Sequence, residues 1–218
     1  MDYKKQHRWY EKRWSLNKSY GGEKKIPNNE VVKFIKTIKK SNQHKKVLDL
    51  GCGEARHAIA FAKEGFETYG LDFSKNAIKK AKENARKANV SIKFSVGNGI
   101  KPPYQENSFD VVLDAGFLHH IKKKDWANYL RGLRRILRHG GLYWSMQLSK
   151  NSKRFHNFIP IDNKKNYYAT KDTYTYFFTK EDYKSLFGKD FKILKIKEGP
   201  AFKKERKLLH FLGKLSKS

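Results

Sequence analysis

Val47-Leu48-Asp49-Leu50-Gly51-Cys52-Gly53-Glu54-Ala55 decides how this chain is read. A short apolar run enters a glycine turn, and helical spacing follows from Arg56 to Lys63. That order specifies a buried strand, a tight loop and a helix N-terminus. Gly51 and Gly53 let the backbone turn sharply and let a ligand approach where a Cβ would block it. The next apolar run, Glu67 to Asp72, reads as a second strand ending on a carboxylate 21 residues past Gly51. In nucleotide-binding α/β folds a carboxylate in that place takes ribose hydroxyls. A dinucleotide site would need G-x-G-x-x-G, and Arg56 occupies the last glycine's place.

Outward from this pair, strand and helix patterns alternate. Val31, Phe34, Ile35 and Ile38 form one helical stripe after Pro27-Asn28-Asn29. Ala58, Ile59, Phe61 and Ala62 form another, closed by Gly65 as a left-handed cap. Ser74 caps a helix carrying Ala77, Ile78, Ala81 and Ala85. Val90, Ile92, Phe94 and Val96 alternate as a third strand, which ends at the turn Gly97-Asn98-Gly99. A proline-containing loop replaces a crossover helix before the fourth strand, Phe109 to Leu113, with Asp114 at its end. Asp125 starts the helix of Tyr129, Leu130, Leu133, Ile136 and Leu137, which His139-Gly140-Gly141 breaks before a fifth strand, Leu142 to Leu148. Periodicity dissolves over 149–173, where Phe155, Phe158, Tyr167 and Tyr168 are interspersed among polar residues. Thr179 and Asp182 make a capping pair for a short helix to Phe187. A sixth strand is expected around Phe191, Ile193 and Ile196, and periodicity leaves Leu208 to Leu212 open between strand and helix. Such alternation implies a largely parallel sheet, covered on both faces, with its ligand crevice at the carboxyl rim.

Asp49-Leu50-Gly51-Cys52-Gly53, Gly70-Leu71-Asp72-Phe73-Ser74 and Asn107-Ser108-Phe109-Asp110-Val111-Val112 together resemble the class I S-adenosylmethionine-dependent methyltransferases, over residues 46–148. The resemblance implies one Rossmann-like α/β domain: a mostly parallel seven-stranded sheet, helices on both faces and an antiparallel last strand. It implies S-adenosyl-L-methionine as cofactor, held by Asp49, Gly51, Gly53, Asp72, Phe73, Asn98, Gly99 and Asp114, with no metal. Asn98 stands where the family usually carries an aspartate near the adenine. The domain is expected over 28–218, with 149–178 an insertion on the acceptor side and 1–27 an aromatic N-terminal cap carrying Trp9, Tyr10 and Trp14. Those aromatics either pin a helix to the core or form a lid.

No catalytic base declares itself. His119 and His120 follow the fourth strand closely enough to reach the rim, as base or as packing. Asp114-Ala115-Gly116-Phe117 is not the Asn/Asp-Pro-Pro-aromatic tetrad of base-amine methylation, and a lone cysteine excludes cysteine-assisted methylation of pyrimidine carbon. Cys52 reads as a small turn residue in a reducing, cytoplasmic setting. Residues 1–10 are polar and aromatic and no apolar run reaches membrane-spanning length, so neither leader nor membrane association is expected. The net charge of +28, from 49 basic and 21 acidic residues, supports RNA as a partner or simply reflects lysine-rich solvated faces. The expected function is methyl transfer to a small-molecule acceptor. The alternative is tRNA modification, since Phe117-Leu118-His119-His120 and the layout also look like wobble-uridine tRNA methyltransferases. A third reading, a fold member that binds without turnover, conflicts with the intact Asp49, Gly51, Gly53 and Asp72. Oligomeric state is not legible.

Overall fold

The computed structural model describes residues 3–16, 26–152, 159–160, 167–169, 173–200 and 207–216. Helix α1 (Tyr3–Ser15) and α2 (Asn29–Ser41) precede the first strand. The alternating core follows as β1 (Lys46–Leu50), α3 (Arg56–Lys63), β2 (Glu67–Asp72), α4 (Lys75–Lys87), β3 (Lys93–Val96) and β4 (Phe109–Asp114). Two short 3-10 turns, Leu118–His120 and Lys123–Asp125, lead to α5 (Trp126–Ile136) and β5 (Leu137–Leu148). Then come β6 (Ile159–Pro160), β7 (Tyr167–Ala169), β8 (Tyr174–Tyr176), α6 (Lys180–Phe187), β9 (Phe191–Pro200) and β10 (Lys207–Leu215).

The main sheet has seven strands in the order β3-β2-β1-β4-β5-β10-β9. The β3-to-β5 half is parallel throughout, and β10 runs antiparallel to both β5 and β9. This is the expected architecture, antiparallel last strand included. The pleat explains its two cores. Leu48, Leu50 and Val112 share a core with Tyr129, Leu133, Tyr183 and Phe187 of α5 and α6. Val47, Val111 and Leu113 point the other way, onto Val31, Phe34, Ile35 and Ile38 of α2 and Phe61 of α3. Sheet pairing settles the last apolar cluster as a strand, because Leu208 to Lys214 pair in register with Leu148 to Leu142.

The caps follow the sequence closely. Ser74 Oγ accepts from Ala77 N at 3.0 Å, and Thr179 and Asp182 form a complete capping box. Gly65 takes φ +87° just beyond α3. Four expectations need correction. The third strand starts at Lys93, because Asn89 turns to φ +53° and Val90 N–H bonds back to Ala85 O, completing the stop of α4. The fifth strand starts at Leu137, which pairs with Phe109; residues 138–141 then bulge before Leu142 pairs with Val111. Asp125 precedes α5 but does not cap it, since its carboxylate accepts from Tyr3 Oη at 2.8 Å. The irregular stretch after β5 contains strands: β6, β7 and β8 form a small antiparallel sheet. Phe155 and Phe158 lie outside the described residues.

Candidate active site

The glycine loop is tied to the end of β2. Gly51 N and Cys52 N both donate to Leu71 O, at 2.7 and 3.0 Å. Gly51 and Gly53 take φ +73° and +53°, a region that Cβ sterics disfavour. The space above them is also occupied. A Cβ on Gly51 would lie 2.8 Å from Phe117 Cβ, and one on Gly53 would lie 3.1 Å from the Trp14 indole. Ala55 keeps φ +66° with its methyl fully buried, so the loop holds strain where α3 begins. Cys52 is buried and its thiol is pushed well above its usual 9, chiefly by desolvation, which leaves it a packing residue.

Three carboxylates stand at the ends of adjacent parallel strands. Asp49 Oδ2 accepts from Ala58 N at 3.1 Å and so caps α3 from beneath. Burial raises it to about 7, helped by Asp72 and Asp114 and opposed by the Ala58 N–H and Arg56. Asp72 accepts from Gly53 N at 2.9 Å and Ser74 N at 3.0 Å, and burial raises it to about 6. Asp114 is fully buried and committed inward. It accepts from Phe117 N (2.8 Å), Leu118 N (3.1 Å), Tyr129 Oη (2.7 Å) and Gln147 Nε2 (2.7 Å). Burial raises its pKa while these donors oppose the rise. Any contact from this strand end to a ligand therefore falls to backbone rather than to the Asp114 carboxylate.

The remaining expected positions converge on the same rim. A Cβ on Gly99 would meet the Phe117 ring at 2.6 Å, so one ring spans Gly51 and Gly99. Asn98 Oδ1 accepts from Ile100 N at 2.9 Å, which commits the carbonyl to its own turn and leaves the NH2 as the group for a ligand. Phe73 lies under α1, edge-on to His7 and Tyr10. His119 is buried against Gln147, whereas His120 sits edge-on to Tyr10 at 5.7 Å.

Helix α1 closes this rim through contacts that its own sequence does not announce. Glu11 accepts from Lys75 N (2.6 Å) and Asn76 N (3.3 Å), supplying a carboxylate to the N-terminus of α4. Gln6 Nε2 donates to His120 O, and His7 Nε2 to Phe73 O, both at 3.2 Å. Gln147 is the functional candidate that sequence reasoning passed over. The signal for Gln147 was present: a glutamine in the mostly apolar, buried run 142–147 needs a partner.

A seven-stranded sheet with this order, a glycine loop after its first strand and an acid ending its second define a Rossmann-like methyltransferase fold. Residues 47–141, under half of the chain, match the family model described as a methyltransferase domain. The cofactor of this family is S-adenosyl-L-methionine. Among similar proteins, the demethylmenaquinone methyltransferase of Geobacillus kaustophilus is 33% identical over 111 residues, 49% of this chain and 46% of that protein. The chain thus spans about half the length of the curated relatives it matches. A crystal structure of Burkholderia thailandensis 1,6-didemethyltoxoflavin-N1-methyltransferase, with 1,6-didemethyltoxoflavin and S-adenosylhomocysteine bound, superposes with a TM-score of 0.80 at 16% identity, covering 99% of this chain and 89% of that one. The [4+2]-cyclase SpnF shares the fold too, with a TM-score of 0.65 at 15% identity over 86% of this chain and 81% of that one. Fold alone therefore does not name the reaction.

Proposed function

We propose that this protein transfers a methyl group from S-adenosylmethionine to a small-molecule acceptor. The observation that carries the reading is the pair of buried carboxylates Asp49 and Asp72, at the ends of adjacent strands beside a positive-φ glycine loop and both raised in pKa by burial. A sulfonium is a cation, and buried carboxylates are the complement to one. In this reading Asp72 takes ribose hydroxyls, and Gly51, Gly53 and Gly99 admit the nucleoside when the Phe117 and Trp14 rings that pack on them swing aside. Asp49 supports the methionine side through the loop. These residues orient the cofactor and exclude water; the sulfonium supplies an already activated methyl.

The acceptors of the similar proteins above, demethylmenaquinone and 1,6-didemethyltoxoflavin, are ring systems of small-molecule size, which favours that acceptor class over RNA. Residues 1–27 act as a lid in this reading, with α1 seated across the rim, and 149–178 supply the acceptor side. Among the described residues no helix is long and apolar enough to cross a membrane. A cytoplasmic setting rests on the single, buried cysteine. The test is a transfer screen with methyl-labelled cofactor over small-molecule extract, total tRNA and protein fractions. Label in the small-molecule fraction is expected; label confined to tRNA would establish the alternative. No calorimetric heat with S-adenosylmethionine or its demethylated product would refute both.

A further inference from the structure

The far end of the main sheet carries a charge pattern that the crevice does not use. Strands β10 and β9 finish the sheet, with β9 at its edge. Their side chains divide by the pleat. Leu209, Phe211 and Leu215 face the core shared with α5 and α6, whereas Leu208 and Leu212 pack on the core beneath α2. Lys214 follows Leu212 onto that second face by alternation. Register carries the same face onto β9: Lys192 pairs with Lys214, Lys195 with Leu212 and Lys197 with His210. Four lysines therefore share one face of a two-stranded ribbon, and all four are exposed. The register shifts at Leu212/Gly213, which makes Leu194 the extra residue of a bulge. Leu194 is 47% exposed, beside Lys195.

The acids of β9 and α2 are already engaged. Glu198 belongs to the other face, opposite Leu209, where it takes Lys207 at 3.5 Å together with Ser149 and Asn151. Glu30 is held low chiefly by its bond to Lys33, 2.8 Å away, with Lys197 a lesser contributor. Lys192 and Lys214 are like charges directly opposite one another, which destabilises a strand pair. Lysines on an edge strand deter stray strand pairing, and that accounts for β9. It does not account for Lys214, because β10 is paired on both sides.

We propose that this face docks on an anionic bilayer surface. No sequence pattern announces such contact, since the lysines become one surface only when β9 and β10 pair. The chemistry selects a bilayer over nucleic acid. Lysine ammoniums are flexible point charges, suited to lipid headgroups that rearrange beneath them. The described residues of β9 and β10 include no arginine to fork a phosphate and no exposed aromatic ring on which bases could stack. An exposed leucine among lysines has a use at the headgroup boundary and none against a phosphate backbone. From Lys192 to Lys197 the face runs about 17 Å along β9. It lies four strand spacings, about 19 Å, from β1 and its glycine loop, so docking leaves the crevice free.

The test is cosedimentation of the full chain with vesicles of phosphatidylcholine alone, or with about 30% phosphatidylglycerol, in about 0.1 M salt. Binding to the anionic vesicles alone is expected, and it should fade by about 0.5 M salt. The double variant Lys195→Gln/Lys197→Gln should bind about thirtyfold more weakly. Lys79→Gln/Lys82→Gln removes the same charge from exposed positions of α4 and should stay within about threefold of wild type. All four lysines are exposed, so both variants should unfold at the wild-type midpoint. In Leu194→Trp, the emission gained over wild type should move to shorter wavelength on anionic vesicles; an unmoved emission overturns contact through this face. An equal loss in the α4 variant also overturns the proposal, in favour of unselective attraction by the +28 net charge. So does equal binding to neutral vesicles, or a protein that ignores both vesicles yet binds single-stranded RNA through Lys195 and Lys197.

Discussion

Replacing Asp49 by Asn should stabilise the protein, and by an amount that depends on pH in a defined way. The carboxylate is fully buried, and burial raises its pKa from 3.8 to about 7. A raised carboxyl pKa means that the folded state disfavours the ion. Below about pH 4 the group is protonated in both folded and unfolded chains and costs nothing. Between about pH 4 and 7 the unfolded chain ionises while the folded one does not, so stability falls by about 1.4 kcal/mol per pH unit. Above about pH 7 the loss is level at about 4 kcal/mol, reduced toward about 2 if water penetrates and the site relaxes. An asparagine keeps an acceptor for the Ala58 N–H, now 3.1 Å from Asp49 Oδ2, and carries no charge. Denaturant unfolding of wild type and variant at pH 4, 5.5, 7 and 8 measures the difference directly, and effects of the +28 net charge cancel in the subtraction. A variant less stable at pH 8, or an advantage that does not change with pH, would refute the account. The same variant should bind S-adenosylmethionine more weakly, a trade of function for stability.

The cofactor's charge gives a companion test. S-adenosylmethionine is a cation and its thioether product is not, so the preference for the former should fall by about tenfold from pH 8 to 5.5 as Asp49 and Asp72 take up protons, as read by calorimetry at each pH. Asp72→Asn should weaken cofactor binding by about 1.5–3 kcal/mol through loss of a charged acceptor, while the Gly53 and Ser74 amides keep one oxygen; unchanged affinity would mean that Asp72 serves only to brace the loop. Trp14→Ala should reduce cofactor affinity about tenfold with little change in unfolding midpoint, because the indole meets the rim at Gly53 rather than the main core. Deleting residues 1–20 should leave a folded, cofactor-binding protein that no longer turns over its acceptor, and intact turnover would make α1 merely structural.

What could be read from sequence followed from local rules. The Gly51–Gly53 turn, the Ser74 cap and the Thr179–Asp182 capping box are set by neighbours within a few residues, so their chemistry is written in order along the chain. Strand or helix for Leu208 to Leu212 was not, because the register with β5 sixty residues earlier decides it. Asp114 looked like a ligand contact because it ends a strand; five groups donating to its carboxylate from residues 117 to 147 turn it inward. Trp14 and Glu11 carry no signal of their targets, since Gly53 and the start of α4 are distant in sequence. Gln147 was legible only as a polar residue in need of a partner, not as a neighbour of His119.

The docking of α1 also bears on the order in which the molecule assembles. Tyr3 bonds to a residue 122 positions away, Gln6 to one 114 away and Glu11 to one 64 away. Each bond closes a long loop and returns few buried contacts, so none can form profitably before β2, β4 and the turns after β4 are in place. Helix α1 is therefore the last element to settle and the first to leave. Its amides should exchange with solvent through local opening far more readily than those of β1 and β4. The polypeptide would then complete its entire sheet while the cofactor crevice stands open, and shut that crevice only with a segment synthesised before everything it covers.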